Sequence, residues 1–315
     1  MALSSEALSR IASFVTNNLS AEMPDSVDHF GGIIGGEEPS RYSSSPHLWN
    51  SLFRLVGTSG YFGALDLPGK QQLTRLLGYL TDLPECVDIT ITSPYKAAAY
   101  ECLDQLPRPA HLTERVRHLQ CLNHIIPERR TGTLFVDNTD GQGMIRALEK
   151  RRALQNARVL LVGAGGAAAS IGYELVVAGA QLTIANIIPD EAVALKALLD
   201  PLTEHRATVG AGGWELIEET APSSEVIISA ITASSPLTES EFALLPADCL
   251  CADTRYGSNG LFAEAARRAG RPSIDGREML FGQFQLAAER VGALLEIDPQ
   301  LLSKTFSIIE QEFTA

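Results

Sequence analysis

The sequence predicts an α/β protein of two domains. Three observations carry that expectation. Short apolar runs alternate with amphipathic helical stretches, the pattern of βαβ units and parallel sheets. A length of 315 residues suits two domains better than one. The final stretch drops the strands: residues 279–295 and 299–313 read as two amphipathic helices in succession, placed to pack back on the first domain. We therefore expect one domain from residues 1–145 with 281–315, and another from 146–280.

The elements follow in order. Residues 4–19 set Leu8, Ile11, Val15 and Leu19 on one helical face, a packing helix ahead of the first strand. Residues 30–35 form a short glycine-containing strand. Ser43-Ser44-Ser45-Pro46 is a loop, and Ser45-Pro46 suits the start of a helix that runs through Leu52, Phe53 and Val56 to a stop near Gly57. Ser43 and Ser45 have two readings, as loop and cap residues or as hydroxyl donors to a small polar ligand. Residues 60–67 make a second strand, and 71–81 a helix with Leu73, Leu76, Leu77 and Leu80 inward. Residues 86–92 alternate as a strand that ends at Ser93-Pro94-Tyr95-Lys96, where a helix begins. Residues 133–136 form a strand. Asp137-Asn138-Thr139-Asp140-Gly141 is a turn-rich loop, and residues 143–152 a helix. Asn138 to Asp140 serve as a helix cap or as part of a site. Lys96 and Asp140 both stand just after a strand, at corners that gather at the carboxyl ends of an open sheet, where ligands bind.

The apolar run from Val159 to Val162 then breaks into Gly163-Ala164-Gly165-Gly166-Ala167-Ala168, and a helical pattern follows through Ile171, Leu175 and Val176. This is a strand turning sharply into a helix through Gly-x-Gly-x-x-Ala, the dinucleotide-binding turn. Gly163 makes the turn, Gly165 lets backbone approach a pyrophosphate, and Ala168 keeps helix and strand close. The helix N-terminus offers N–H groups and partial positive charge to phosphates. Residues 181–186, 226–230, 249–253 and 271–275 supply the later strands.

Composition narrows the partners. A net charge of −13 disfavours nucleic acid and anionic membranes. Cys86, Cys102, Cys121, Cys249 and Cys251 are scattered, without Cys-x-x-Cys, so neither a disulfide framework nor a metal site is indicated. There is no membrane-length apolar run and no signal-peptide pattern, and a cytoplasmic location is expected.

Taken together, Ser43-Ser-Ser45-Pro46 with Asn50, Thr92-Ser-Pro94-Tyr-Lys96, Asn138-Thr139-Asp140-Gly141, the glycine-rich turn, and Asp275-Gly-Arg-Glu-Met279-Leu-Phe-Gly-Gln283 resemble the shikimate dehydrogenase family, over about residues 30–290. The resemblance implies an N-terminal α/β substrate domain and a Rossmann-type domain that binds NAD or NADP. The reaction is interconversion of a hydroxyl and a ketone on a cyclic hydroxy acid such as shikimate or quinate. It implies Lys96 and Asp140 as the catalytic pair, and Ser43, Ser45, Thr92, Asn123, Thr139 and Gln283 as substrate contacts. The cofactor would meet Gly163, Ala164, Gly165, Gly166, Ala167, Ala168, Asn186, Ile231 and Tyr256. Hydride transfer to a ketone builds negative charge on its oxygen, which Lys96 can meet with charge and proton while Asp140 holds the amine. The expected state is a monomer or homodimer.

The departures matter as much. Thr90 stands where the family has Asn, and loses an amide contact. Leu122-Asn123-His124 replaces Val-Asn-Thr, and His124 is expected to be an ordinary polar replacement, since the proton-transfer role is filled. Asn186-Ile187-Ile188-Pro189-Asp190 replaces the run whose arginine meets the 2′-phosphate, and no Arg or Lys lies between 181 and 195. NAD is therefore expected over NADP. Ser229-Ala-Ile-Thr232 and Tyr256-Gly-Ser depart near the nicotinamide position. Alternatives are a paralogue with another substrate, a non-catalytic dinucleotide or metabolite sensor, and a dehydrogenase of folate-type substrates. The intact Lys96 and Asp140 argue against the second, and the serines and Gln283 against the third.

Overall fold

The computed structural model describes residues 2–19, 23–24, 26–203, 207–231 and 235–314. In chain order the elements are α1 (Ser5–Ala12), β1 (His29–Gly35), α2 (Ser45–Val56), β2 (Gly60–Asp66), α3 (Leu73–Asp82), β3 (Cys86–Ile91), α4 (Lys96–Glu101), β4 (Ala110–Leu112), α5 (Glu114–Leu119), β5 (His124–Glu128) and β6 (Thr133–Asp137). There follow α6 (Asp140–Glu149), β7 (Arg158–Val162), α7 (Gly166–Val177), β8 (Gln181–Ala185), α8 (Pro189–Leu199), β9 (Thr208–Gly212), α9 (Glu215–Thr220), β10 (Val226–Ser229), α10 (Glu239–Leu244), β11 (Leu250–Asp253), α11 (Leu261–Arg268), β12 (Ser273–Ile274), α12 (Gly276–Leu294) and α13 (Pro299–Thr314). They divide into two compact units, Met1–Thr139 with Phe284–Ala315, and Asp140–Gln283.

The first unit is built on a sheet of order β2-β1-β3-β5-β6-β4. Strands β1, β2 and β3 pair in parallel, as do β4 and β6, while β5 runs against both β3 and β6. One face carries a core of Phe30, Ile34, Leu65, Leu76, Leu80, Ile89 and Val136. Elsewhere in the unit Trp49 of α2 stacks on Phe62 at 5.3 Å, and the tail closes over it: Phe284 meets Trp49 edge-on at 5.4 Å and Phe306 meets Phe284 at 5.8 Å. Each such pair adds about 1 kcal/mol beyond burial. The C-terminal helices thus return to the first domain, as expected.

The second unit is a parallel sheet of order β12-β11-β10-β7-β8-β9, with β7 at the point where the order reverses. This is the Rossmann arrangement. Leu160, Val162, Ile227, Phe242, Cys251 and Phe262 fill one of its faces.

Three boundaries correct the sequence reading. Helix α1 stops at Ala12, not at residue 19. The Asn17 side chain instead serves the outer strand β2, donating to the Ala64 carbonyl at 2.9 Å and accepting from the Asp66 amide at 3.0 Å. Helix α6 begins at Asp140 rather than 143, and α12 at Gly276 rather than 279. The glycines there do not break helices; they permit contact. A Cβ at Gly141 would lie 2.1 Å from the Ser170 carbonyl oxygen, at Gly143 2.5 Å from that of Met279, and at Gly276 2.4 Å from that of Thr254. Strands β4, β5 and β9 escaped the pattern. In β5 the run from His124 to Pro127 is buried on both faces, so no alternation shows.

Candidate active site

In the first unit β3 and β6 point the same way, so both end at one edge, and antiparallel β5 begins there. Asn123, just ahead of β5, ties this edge together. Its backbone carbonyl accepts from the Ile91 amide at 2.7 Å, and its amide donates to the Asp137 carbonyl at 3.0 Å. Its side chain accepts from the Thr139 amide at 2.8 Å and donates to the Thr139 hydroxyl at 3.0 Å. Thr92 leaves β3 with its amide on the Ile34 carbonyl at 2.9 Å, and its methyl sits where a Cβ on Gly35 would come within 2.5 Å. Thr92, Asn123 and Thr139 are therefore brought to one edge.

Lys96 opens α4, half-buried, and its carbonyl accepts from the Leu122 amide at 3.3 Å. Its neighbour Tyr95 is pinned by a hydroxyl donated to the Leu67 carbonyl at 3.1 Å, and burial pushes that phenol above its ordinary pKa. The Ser43 hydroxyl accepts from the Ser45 amide at 3.2 Å, a cap-like role that leaves it its own hydrogen to donate. Ser45 is buried in the first turn of α2.

Sequence reading missed Asp137, which organises the loop after β6. It accepts from the Thr113 hydroxyl at 2.8 Å, Arg115 at 3.2 Å and the Asn138 amide at 2.8 Å. Asn138, fully buried, donates to the Cys121 carbonyl at 3.4 Å. It also missed what Thr90 and His124 do. The Thr90 hydroxyl donates to Asp88 at 2.8 Å, and His124 Nδ1 lies 2.9 Å from the other Asp88 oxygen. The three residues form one buried cluster. Pairing of Thr90 with His124 across β3 and β5 was the signal, invisible until β5 is recognised.

In the second unit Asp140 is the first residue of α6 and is buried. The helix is anchored at its start by the Gly141 amide, donated to the Ser170 hydroxyl at 2.8 Å. Gln283, half-buried on α12, packs over the bare Cα of Gly143.

The carboxyl edge of the second sheet carries the glycine turn. Gly163 has φ +116°, and a Cβ there would lie 2.8 Å from the Ala230 carbonyl oxygen, so β7 can turn here only through glycine. Gly165 and Gly166 differ: both are exposed, and a Cβ on either would meet no protein atom within 4 Å. Packing does not require these glycines; they leave bare the N-terminus of α7, where Gly165 caps without a side-chain bond. Such a cradle fits a dinucleotide pyrophosphate. Ala168 is fully buried, while Ala164 and Ala167 are half-buried.

Beyond β8, the buried Asn186 side chain donates to Glu191 at 2.7 Å and to the Ile188 carbonyl at 3.1 Å, and Ile187 stands 77% exposed. Ile231 packs against the core after β10, and Thr232 lies outside the described residues. Tyr256 is half-buried ahead of a turn at Gly257, φ +62°. Asp253, at the end of β11, accepts from the amides of Arg255, Phe262 and Ala263 at 2.9, 3.0 and 3.3 Å, and so caps α11 from a distance; burial holds its carboxyl above the usual range. Among the described residues no group of three or more His, Cys, Asp or Glu side chains could hold a metal ion, and no helix is long and apolar enough to cross a membrane.

Comparison with known proteins gives a consistent result. No family model matches the chain. A shikimate dehydrogenase (NADP(+)) of Symbiobacterium thermophilum is 32% identical over 270 residues, 82% of this chain and 87% of that protein. Among solved structures, shikimate 5-dehydrogenase of Thermus thermophilus in complex with NADP(H) and shikimate superposes with a TM-score of 0.70 at 23% identity, covering 89% of this chain and 99% of that one. A quinate dehydrogenase of Corynebacterium glutamicum in complex with NAD gives 0.69 at 22% identity, with 89% and 99% covered. At these identities the two structures speak for the fold alone.

Proposed function

This chain belongs to the shikimate dehydrogenase family and is an oxidoreductase, and from that premise we propose that it interconverts a hydroxyl and a ketone on a cyclic hydroxy acid related to shikimate or quinate, with NAD preferred to NADP. The observation that carries the reading is the pair of exposed glycines at the head of α7, which no packing contact explains. In this proposal the first unit holds the substrate and the second the cofactor. Gly163 to Ala168 would cradle the pyrophosphate, and Ile231 and Tyr256 would lie toward the nicotinamide. The nicotinamide, when bound, supplies or takes the hydride.

The chain's own residues do the rest. Ser43 and Ser45 present hydroxyls to the substrate, Thr92, Asn123, Thr139 and Gln283 orient its ring, and Lys96 places a cation and a proton at the oxygen that gains charge. Asp140 is the second residue of the proposed proton-transfer pair. The lock between Asn123 and Thr139 supports this, because it orders two of the proposed contacts before substrate arrives.

The cofactor preference rests on β8 and α8. Asp190 and Glu191 sit in the first turn of α8, and Asn186 already bonds Glu191. A ribose hydroxyl can donate to such a carboxylate; a 2′-phosphate would be repelled. Initial rates with NAD and NADP against shikimate and quinate test the proposal. We expect kcat/KM to favour NAD by roughly tenfold or more, the scale of one charge-assisted hydrogen bond. Measurable cofactor binding with no turnover of any cyclic hydroxy acid would instead support a sensor.

A further inference from the structure

We infer that His124 is a specificity-determining residue whose Nε2 accepts a hydrogen bond from one hydroxyl or amino substituent of the substrate ring, with Asp88 fixing the tautomer; this rests on the function proposed above. The inference starts from a carboxylate with no exposed surface. Asp88 is fully buried in the middle of the sheet, and a buried acidic side chain must have its hydrogen bonds made. Thr90 donates to one of its oxygens at 2.8 Å, and His124 Nδ1 stands 2.9 Å from the other. A carboxylate only accepts, so Nδ1 carries the hydrogen. In a neutral imidazole Nε2 is then an acceptor.

Direction follows from the strands. Asp88 lies two residues before Thr90 on β3, and Thr90 is the cross-strand partner of His124. Asp88 is therefore on the side away from the carboxyl edge. The two nitrogens of an imidazole point to nearly opposite sides of the ring. With Nδ1 turned back along β3, Nε2 is turned toward the edge where Thr92 and Asn123 stand. A threonine at 124, as in the family pattern, can donate or accept; a neutral histidine held in this way accepts only. It selects a substituent that carries a hydrogen and disfavours a keto or carboxylate oxygen at the same place.

Two measurements test this on the intact protein. The first is the ¹H–¹⁵N spectrum of the histidine rings at neutral pH, with His124 assigned by its loss in His124→Thr. We expect Nδ1 protonated and Nε2 not, and addition of quinate or shikimate should shift the Nε2 signal. An Nε2–H tautomer, an imidazolium, or an Nε2 signal indifferent to both acids overturns the inference. The second is kcat/KM for shikimate, quinate and analogues lacking one ring hydroxyl at a time, in wild type, His124→Thr and Asp88→Asn, each checked for folding by its Tm. At one ring position, loss of the hydroxyl should cost wild type roughly tenfold through KM, and should cost His124→Thr much less. Asp88→Asn should erode the same discrimination, because an amide can donate to Nδ1 and release the tautomer. Identical penalties in wild type and His124→Thr at every position overturn the inference while leaving the proposed function standing. If no acid is turned over at all, the proposed function falls, and the Nε2 signal alone decides the role of His124.

Discussion

At the carboxyl edge of the first sheet the groups that can meet a ligand are side chains: hydroxyls, an amide, an amine and a buried imidazole. At the carboxyl edge of the second they are mainly backbone amides, left uncovered by glycine. The difference follows from construction. The second sheet is parallel throughout its described strands, so its edge is a row of strand-to-helix turns whose main feature is a helix N-terminus. The first sheet admits one reversed strand, β5, which delivers Asn123 and His124 to an edge that parallel strands alone would supply only with the residues that follow them. One edge is suited to hold a constant, phosphate-bearing group, and the other to be varied by substitution.

The sharpest way to break this contrast is to remove the proposed chemistry from the side-chain edge and its neighbour in sequence. Lys96→Ala and Asp140→Ala should each lower kcat by about 10²–10⁴-fold, with Tm nearly unchanged. Wild-type turnover in either variant would remove the assignment. Next come two glycines of the second unit that look alike in sequence. Gly141→Ala drives a Cβ against the Ser170 carbonyl and should destabilise by about 3 kcal/mol or more, read as a fall in Tm. Gly165→Ala has room and should leave Tm alone while weakening NAD binding roughly tenfold, read by calorimetry. Equal effects on both quantities in the two variants would mean that the turn at 165 serves packing only. The smallest effect is expected at Asp253→Ala, which uncaps α11 and should cost about 1 kcal/mol by denaturant titration without changing the cofactor preference.

The legibility of the two edges differs for the same reason. The glycine turn at 163–168 could be read locally, because its strand, turn and helix are contiguous and the turn itself needs glycine at 163. Most strands of both sheets could be read as well, since apolar runs bounded by Gly, Pro and polar clusters leave few choices. The first helix was over-extended because the periodicity of Leu8, Ile11 and Val15 continues past Ala12, while Asn17 is claimed by the backbone of β2, far off in sequence. Gly141 and Gly276 read as positions outside the helices because an isolated glycine signals a turn, and only their neighbours, the Ser170 carbonyl on α7 and the Thr254 carbonyl after β11, reveal a close contact instead.

Local pattern alone was enough for the two-domain α/β architecture and for the strand, turn and helix around Gly163, because each of these elements depends on side chains or glycines close together in the chain; Lys96 and Asp140, far apart in the chain, are proposed as a pair on the family pattern. Folding in three dimensions was needed to turn Thr90 and His124 from two apparent departures into one hydrogen-bonded cluster around Asp88. The physical reason is that a buried carboxylate must be satisfied by whatever the neighbouring strands bring to it, and which strands are neighbours is set by long-range pairing rather than by adjacency in the chain.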